Sequence, residues 1–213
     1  MIVKVCGVRT AEVAEVAVEA GADWIGIVFE PRSPRHASDA EAYAVVAAVR
    51  DRADIIGVFV TPSVEECDAA ASRFGLAGVQ VHGEVDDSLA AECAVPVIRG
   101  YNVREEHDAL TLQWWPDCIV LLDAIPVAGE LPGGTGRHLD QAWAAEVARH
   151  RRIVLAGGLG AGDVAAAVAS VRPYGVDASS RLEHMRGVKD PALVHAFVRA
   201  ARDASSAQAV GDG

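Results

Sequence analysis

Eight short apolar runs rich in β-branched residues alternate with eight Ala-rich amphipathic segments along the 213 residues of this chain. Strands joined through helical crossovers pair in parallel, and eight such units are what a closed barrel needs. The alternation and the count together predict an α/β fold, a single (β/α)8 TIM barrel with eight parallel strands, over residues 1–202. The competing layout, an open doubly wound sheet, would carry Gly-x-Gly-x-x-Gly after its first strand to bind a dinucleotide. Here Val5 is followed by Cys-Gly-Val-Arg-Thr, so that layout is set aside.

The first run, Ile2–Cys6, stops at Gly7 and leads into a helix over Ala11–Ala20. Lys4 is out of place inside a buried strand unless its ammonium reaches a polar cavity. Trp24–Phe29 precedes the loop Glu30–Ser38 and a helix over Asp39–Arg50. Asp54–Val60 precedes Val64–Phe74, and Gly78–Val81 precedes a short helix over Asp86–Cys93. Val95–Arg99 is followed by Glu105–Leu112, and Cys118–Leu122 by a long loop and a helix over Leu139–His150. Ile153–Leu155 precedes Ala161–Val171, and Gly175–Val176 precedes a closing helix over Pro191–Arg202. The small polar residues 203–213 are expected to form a frayed tail.

Composition narrows the function. Hydrophobic residues make up 51% of the chain and aromatics only 5%, so the core must be built from Val, Ala, Leu and Ile. The net charge of −11 argues against nucleic acid or an anionic membrane as partner. An anionic ligand would need a local positive island. No apolar run approaches the roughly 20 residues that span a bilayer, and the opening apolar stretch of about five residues is no signal peptide. Cys6, Cys67, Cys93 and Cys118 lack metal-type spacing and read as reduced thiols of a cytoplasmic protein. Either a monomer or a homodimer suits such a barrel.

Parallel α/β folds place their chemistry at the C-terminal ends of strands. Cys6 ends the first strand and Asp123 follows Leu121-Leu122 at the end of the sixth. They are expected to face each other across the barrel mouth as base and acid. The loops after the seventh and eighth strands of a barrel often bind phosphate. Gly157-Gly158 would let backbone N–H groups approach an anion, and Ser179-Ser180-Arg181 would add hydroxyls and a guanidinium. In Glu30–His36 two prolines stiffen a loop with two arginines. Arg35, held directly by Pro34, is the better candidate for a bidentate carboxylate clamp. Gln80 and His82, two apart in the fourth strand, point to one side and are read as lining the mouth, with Lys4. Gly134, Thr135 and Gly136, in the long sixth loop, would form a mobile lid, a wall of the mouth or a plain flexible turn, and the residues alone do not choose among the three.

Taken in order, Lys4-Val5-Cys6-Gly7, Gly21-Ala22-Asp23, Ser33-Pro34-Arg35, Val79-Gln80-Val81-His82-Gly83, Leu121-Leu122-Asp123, Gly133-Gly134-Thr135-Gly136, Ala156-Gly157-Gly158-Leu159 and Val176-Asp177 through Glu183, then Gly187-Val188-Lys189-Asp190, resemble the phosphoribosylanthranilate isomerases. The resemblance runs from about residue 3 to residue 202. It implies the third step of the tryptophan branch of aromatic amino-acid biosynthesis, an Amadori rearrangement of a small anionic phosphosugar that needs no metal and no organic cofactor. By similarity the catalytic cysteine falls on Cys6, the catalytic aspartate on Asp123 and the anthranilate-binding arginine on Arg35. The chemistry calls for a thiolate, which Lys4 or Arg35 could favour over the thiol, and for a carboxyl group that partial burial keeps protonated. One departure stands out: Arg181-Leu182 replaces the family's usual Gly-Val, so Arg181 would either crowd the phosphate cup or touch the phosphate. Two other readings are a barrel isomerase acting on the related histidine-pathway aminal, against which Cys6 speaks, and a non-catalytic phosphosugar-binding barrel.

Overall fold

The computed structural model describes residues 1–86, 88–103, 118–124 and 141–211. Eight parallel strands close into a barrel in chain order: β1 (Ile2–Cys6), β2 (Trp24–Val28), β3 (Asp54–Val60), β4 (Gly78–His82), β5 (Val97–Val103), β6 (Ile119–Ala124), β7 (Ile153–Leu155) and β8 (Gly175–Ala178). Between them lie α1 (Ala11–Ala20), α2 (Asp39–Val49), α3 (Val64–Phe74), α4 (Leu89–Glu92), α5 (Gln141–Ala148) and α6 (Val164–Val171), and α7 (Pro191–Gly211) closes the ring. The expected helix over Glu105–Leu112 and the start of the one expected from Leu139 lie outside the described residues.

The alternation of side chains along each strand separates two cores. Val3, Val5, Ile25, Ile27, Val79, Val81, Val120 and Leu122 face outward and pack on the helices. Trp24, Ile56, Ile98, Leu121, Val154 and Ala156 face inward and plug the barrel. That plug is a floor. One inward position further along, the strands carry polar groups: Asp123 is two residues past Leu121, and Lys4 and Cys6 continue the inward face of Ile2.

Local signals set most boundaries. Thr10 caps α1, with its hydroxyl accepting from Val13 N–H, and Gly21 ends the helix in the left-handed region. Ser63 and Glu66 form a reciprocal capping box on α3, and Gly75 closes it. Two expectations are corrected, and one feature is additional. The helix expected from Asp86 forms only over Leu89–Glu92, because the Asp86 carboxylate turns the chain by accepting from Ser88 N–H. The boundary at residue 202 falls inside α7, which continues to Gly211. A 3-10 turn, Ser180–Leu182, and a two-stranded hairpin, β9 (Glu183–Met185) with β10 (Val188–Lys189), follow β8 unannounced by any apolar periodicity. Among the described residues no helix is long and apolar enough to cross a membrane.

Candidate active site

Strand register generates the deepest polar feature. Lys4 and Asp177 are register partners on β1 and β8, and both point inward. They form a buried ion pair, Nζ to Oδ1 3.1 Å. Burial is the largest single influence on Lys4 and favours the neutral amine, but the charges and hydrogen bonds of Asp177 and Cys6 together outweigh it and hold Lys4 above the ordinary range. Such a pair stabilises little as a unit, but removing one partner strands a buried charge. Lys4→Met is therefore expected to destabilise the fold by about 3–5 kcal/mol. Adding Asp177→Asn should recover most of that loss. Thermal melts of the single and double variants check both statements.

Above that pair opens a cavity of about 410 Å³. Cys6 from β1, His82 from β4, Asp123 from β6 and Arg35 from the β2–α2 loop all line it. The closed strand order sets β6 three strands from β1, so the thiol and the carboxyl group approach from opposite sides. Asp123 is buried, 3% exposed. Cys6 is nearly as buried, and burial pushes its thiol above the ordinary range, although Lys4 and Lys189 pull the other way. Lys4 favours the thiolate, as expected, but the cost of burying the anion is larger and the net shift is upward. Lys4 is the principal cation acting on the thiol.

Gln80 Nε2 lies 2.7 Å from His82 Nε2. For a hydrogen bond there, the ring nitrogen must accept, which leaves the hydrogen on Nδ1. Burial, with Lys4 and Arg99 adding, lowers the His82 pKa to about 4, so the ring is neutral at physiological pH. The place the ring occupies exists because residue 100 on β5 is glycine: a methyl group there would collide with the ring at Nδ1.

A smaller recess of about 20 Å³ adjoins the cavity, lined by Gly157, Gly158, Ser179, Ser180, Asp123 and Asp177. Gly157 and Gly158 both take positive φ, 88° and 72°, which glycine alone adopts without strain. Arg181 does not line this recess. Its guanidinium turns outward to Asp163, at 3.3 Å, and is half exposed. Its expected place in the phosphate cup is thus corrected, and no left-handed backbone demands glycine there. Because Arg181 meets Asp163 and does not line the recess, Arg181→Gly should leave the KM for substrate nearly unchanged in a steady-state assay.

Arg32 and Arg35 separate clearly. Arg32 bonds Glu30 at 2.7 Å and is 70% exposed, whereas Arg35 lines the cavity. Arg35 does not stand alone. Glu183 takes its Nε at 2.6 Å and Nη2 at 3.0 Å, and Lys189 Nζ bonds the same carboxylate at 2.6 Å. Burial pushes Glu183 up, but the Arg35 hydrogen bond and the Lys189 charge outweigh it and hold the carboxyl below its ordinary range. Asp177, Glu183 and Lys189 carry no expected role, although all three fall within the motifs that resemble the family. Their signal was a charged residue inside or beside an apolar strand run, the same one that marked Lys4. Gly134, Thr135 and Gly136 lie outside the described residues.

A closed parallel barrel whose strand ends hold a thiol, a carboxyl group, an arginine fork and a Gly-Gly recess belongs to the class of phosphosugar-transforming (β/α)8 barrels. The family model for N-(5′-phosphoribosyl)anthranilate (PRA) isomerase matches residues 3–200, and the chain belongs to that family. An N-(5′-phosphoribosyl)anthranilate isomerase of Roseiflexus sp. strain RS-1 is 42% identical over 214 residues, covering 95% of this chain and 98% of the relative. The crystal structure of phosphoribosyl anthranilate isomerase from Thermotoga maritima superposes with a TM-score of 0.87 at 32% identity, over 95% of this chain and all of that one. A phosphoribosyl anthranilate isomerase in complex with reduced 1-(o-carboxyphenylamino)-1-deoxyribulose 5-phosphate gives 0.84 at 31%, with the same coverage.

Proposed function

We propose that this chain converts N-(5′-phosphoribosyl)anthranilate to 1-(2-carboxyphenylamino)-1-deoxyribulose 5-phosphate, with Asp123 as general acid and Cys6 as general base. The observation that carries the reading is that these two groups open into one cavity from strands on opposite sides, with Arg35 on its wall and the Gly157–Gly158 recess adjoining it. The substrate carries a carboxylate at one end and a phosphate at the other. Arg35 takes the carboxylate. Gly157, Gly158, Ser179 and Ser180 take the phosphate through N–H and O–H groups. The sugar is then suspended between thiol and carboxyl group, which removes much of the entropic barrier.

Chemistry begins at the ring oxygen. Asp123 protonates it, the aminal ring opens, and the nitrogen lone pair forms an iminium. The iminium acidifies the proton on C2′. The Cys6 thiolate removes that proton from the other face and gives an enolamine. Loss of the C2′ hydroxyl proton and reprotonation at C1′ yield the ketone. The net charge of −11 makes a locally positive end necessary. Pairing Asp177 with Lys4 removes one negative charge beside the phosphate recess.

Freshly prepared phosphoribosylanthranilate is fluorescent through its anthranilate group, and its loss can be followed continuously. The expected result is rapid enzyme-dependent conversion, with no turnover of the related histidine-pathway aminal. Tight binding of the reduced product without any conversion would instead identify a binding protein.

A further inference from the structure

Glu183 belongs to neither end of the substrate nor to the reacting groups, yet it is among the most tightly held side chains of the mouth. Its Oε1 accepts from Arg35 Nε and Lys189 Nζ, both at 2.6 Å. Its Oε2 accepts from Arg35 Nη2 and Gly187 N–H, both at 3.0 Å. Four donors saturate the carboxylate, and its side chain is only 4% exposed. A group bonded in this way does not leave when a ligand arrives.

What Glu183 leaves open is the informative part. A guanidinium offers two bidentate edges, one formed by Nε with a terminal nitrogen and one formed by the two terminal nitrogens. Glu183 takes the Nε–Nη2 edge, and the end-on edge, Nη1 with the second Nη2 hydrogen, remains for a planar anion. We infer that Glu183 is a positioning residue for substrate selection: by gripping Arg35 along one edge it presents the other edge to the carboxylate of the ligand. This deepens the proposed function and rests on Arg35 being the carboxylate clamp.

The surroundings are built for the same end. Two basic side chains, Arg35 and Lys189, share the one carboxylate, although burial holds Lys189 below its ordinary range. Lys189 Nζ also reaches Ser179 Oγ at 3.3 Å, and that hydroxyl bonds Cys6 C=O at 3.0 Å. The clamp is thereby tied to the β8 loop and to β1. Two glycines let the parts close together. A methyl group at position 7 would lie 2.8 Å from Arg35 Cδ and 3.2 Å from Lys189 Nζ. One at position 187 would collide with Pro34 C=O, so the β9–β10 turn docks directly on the loop that carries Arg35.

The competing idea is that Glu183 imitates the ligand carboxylate and must be displaced. The two ideas predict opposite signs. Calorimetric titration uses two ligands, reduced 1-(2-carboxyphenylamino)-1-deoxyribulose 5-phosphate and its phenylamino counterpart without the carboxylate. Wild-type protein should prefer the first, and Arg35→Ala should abolish the preference. Glu183→Ala should lower the preference at least tenfold while affinity for the second ligand holds. In turnover the loss should fall on KM rather than kcat. Glu183→Gln, which keeps the shape and one acceptor oxygen, should lie between and serves if the alanine variant does not fold. Tighter binding of the carboxylated ligand to either Glu183 variant, or an unchanged preference, overturns the inference. Equal binding of both ligands to wild-type protein refutes the Arg35 clamp itself, and the inference with it.

Discussion

Replacing Cys6 by alanine is expected to lower kcat by about a thousandfold, because a general base contributes on the order of 10²–10⁴ to such a step. The reduced product should bind the variant within about threefold of wild type, since a group acting only in the transition state leaves ground-state binding alone. Cys6 lines an open cavity rather than the barrel floor, so truncating it leaves the apolar plug of Trp24, Ile56 and Leu121 intact. Cys6→Ser is the sharper control. It keeps the shape of the side chain, but a hydroxyl does not ionise in the working range, so it should be as inactive as alanine. The pH profile follows from the same geometry. The competent enzyme carries a proton on Asp123 and none on Cys6. When the base has the higher pKa, the population of that form is flat between the two pKa values and falls only outside them. The alkaline limb then belongs to Cys6. Because burial raises that thiol, the limb should lie above the ordinary thiol pKa of about 8.5. Near-normal turnover by Cys6→Ala would remove the cysteine from the mechanism.

Elements with a local signal were readable from the sequence. β1, α1, β3, α3 and β7 end where the apolar period, a capping hydroxyl or a left-handed glycine says they should. Failures share a cause: the deciding contact is distant. β5 runs past Arg99 through Gly100, Tyr101 and Asn102 to Val103, a stretch with little apolar character. It is a strand because β6 pairs with it along its length. The β9–β10 hairpin is too short to show a period and is held by Arg35, 148 residues away from Glu183 in sequence. The site divides in the same way. Cys6, Asp123 and Arg35 were readable because strand ends and proline-stiffened loops announce themselves. That Lys4 faces Asp177 needs the β1–β8 register. That Arg181 turns to Asp163 needs the position of the helix after β7. Neither is local information.

Asp123→Asn should be the other large loss, about two to four powers of ten in kcat. Asparagine has the size of aspartate and fits the same buried position at the end of β6. Its amide can donate a hydrogen bond to the ring oxygen but cannot transfer a proton, and without that transfer the ring opens only at its uncatalysed rate. Asparagine is also neutral, like the protonated acid it replaces, at a position that lines the Gly157–Gly158 recess. Binding of the reduced product should therefore hold while turnover collapses. That separation of binding from turnover distinguishes a catalytic acid from a merely structural carboxylate, whose loss would weaken binding and folding together. The two catalytic groups also differ in what a weak external acid can do. A small carboxylic acid such as formic acid that enters the cavity can supply the proton that the substituted amide cannot, so partial rescue should grow with total formate concentration at fixed pH. It should not appear in Cys6→Ala, which lacks the base. Rescue of Cys6→Ala but not of Asp123→Asn would require the two roles to be exchanged.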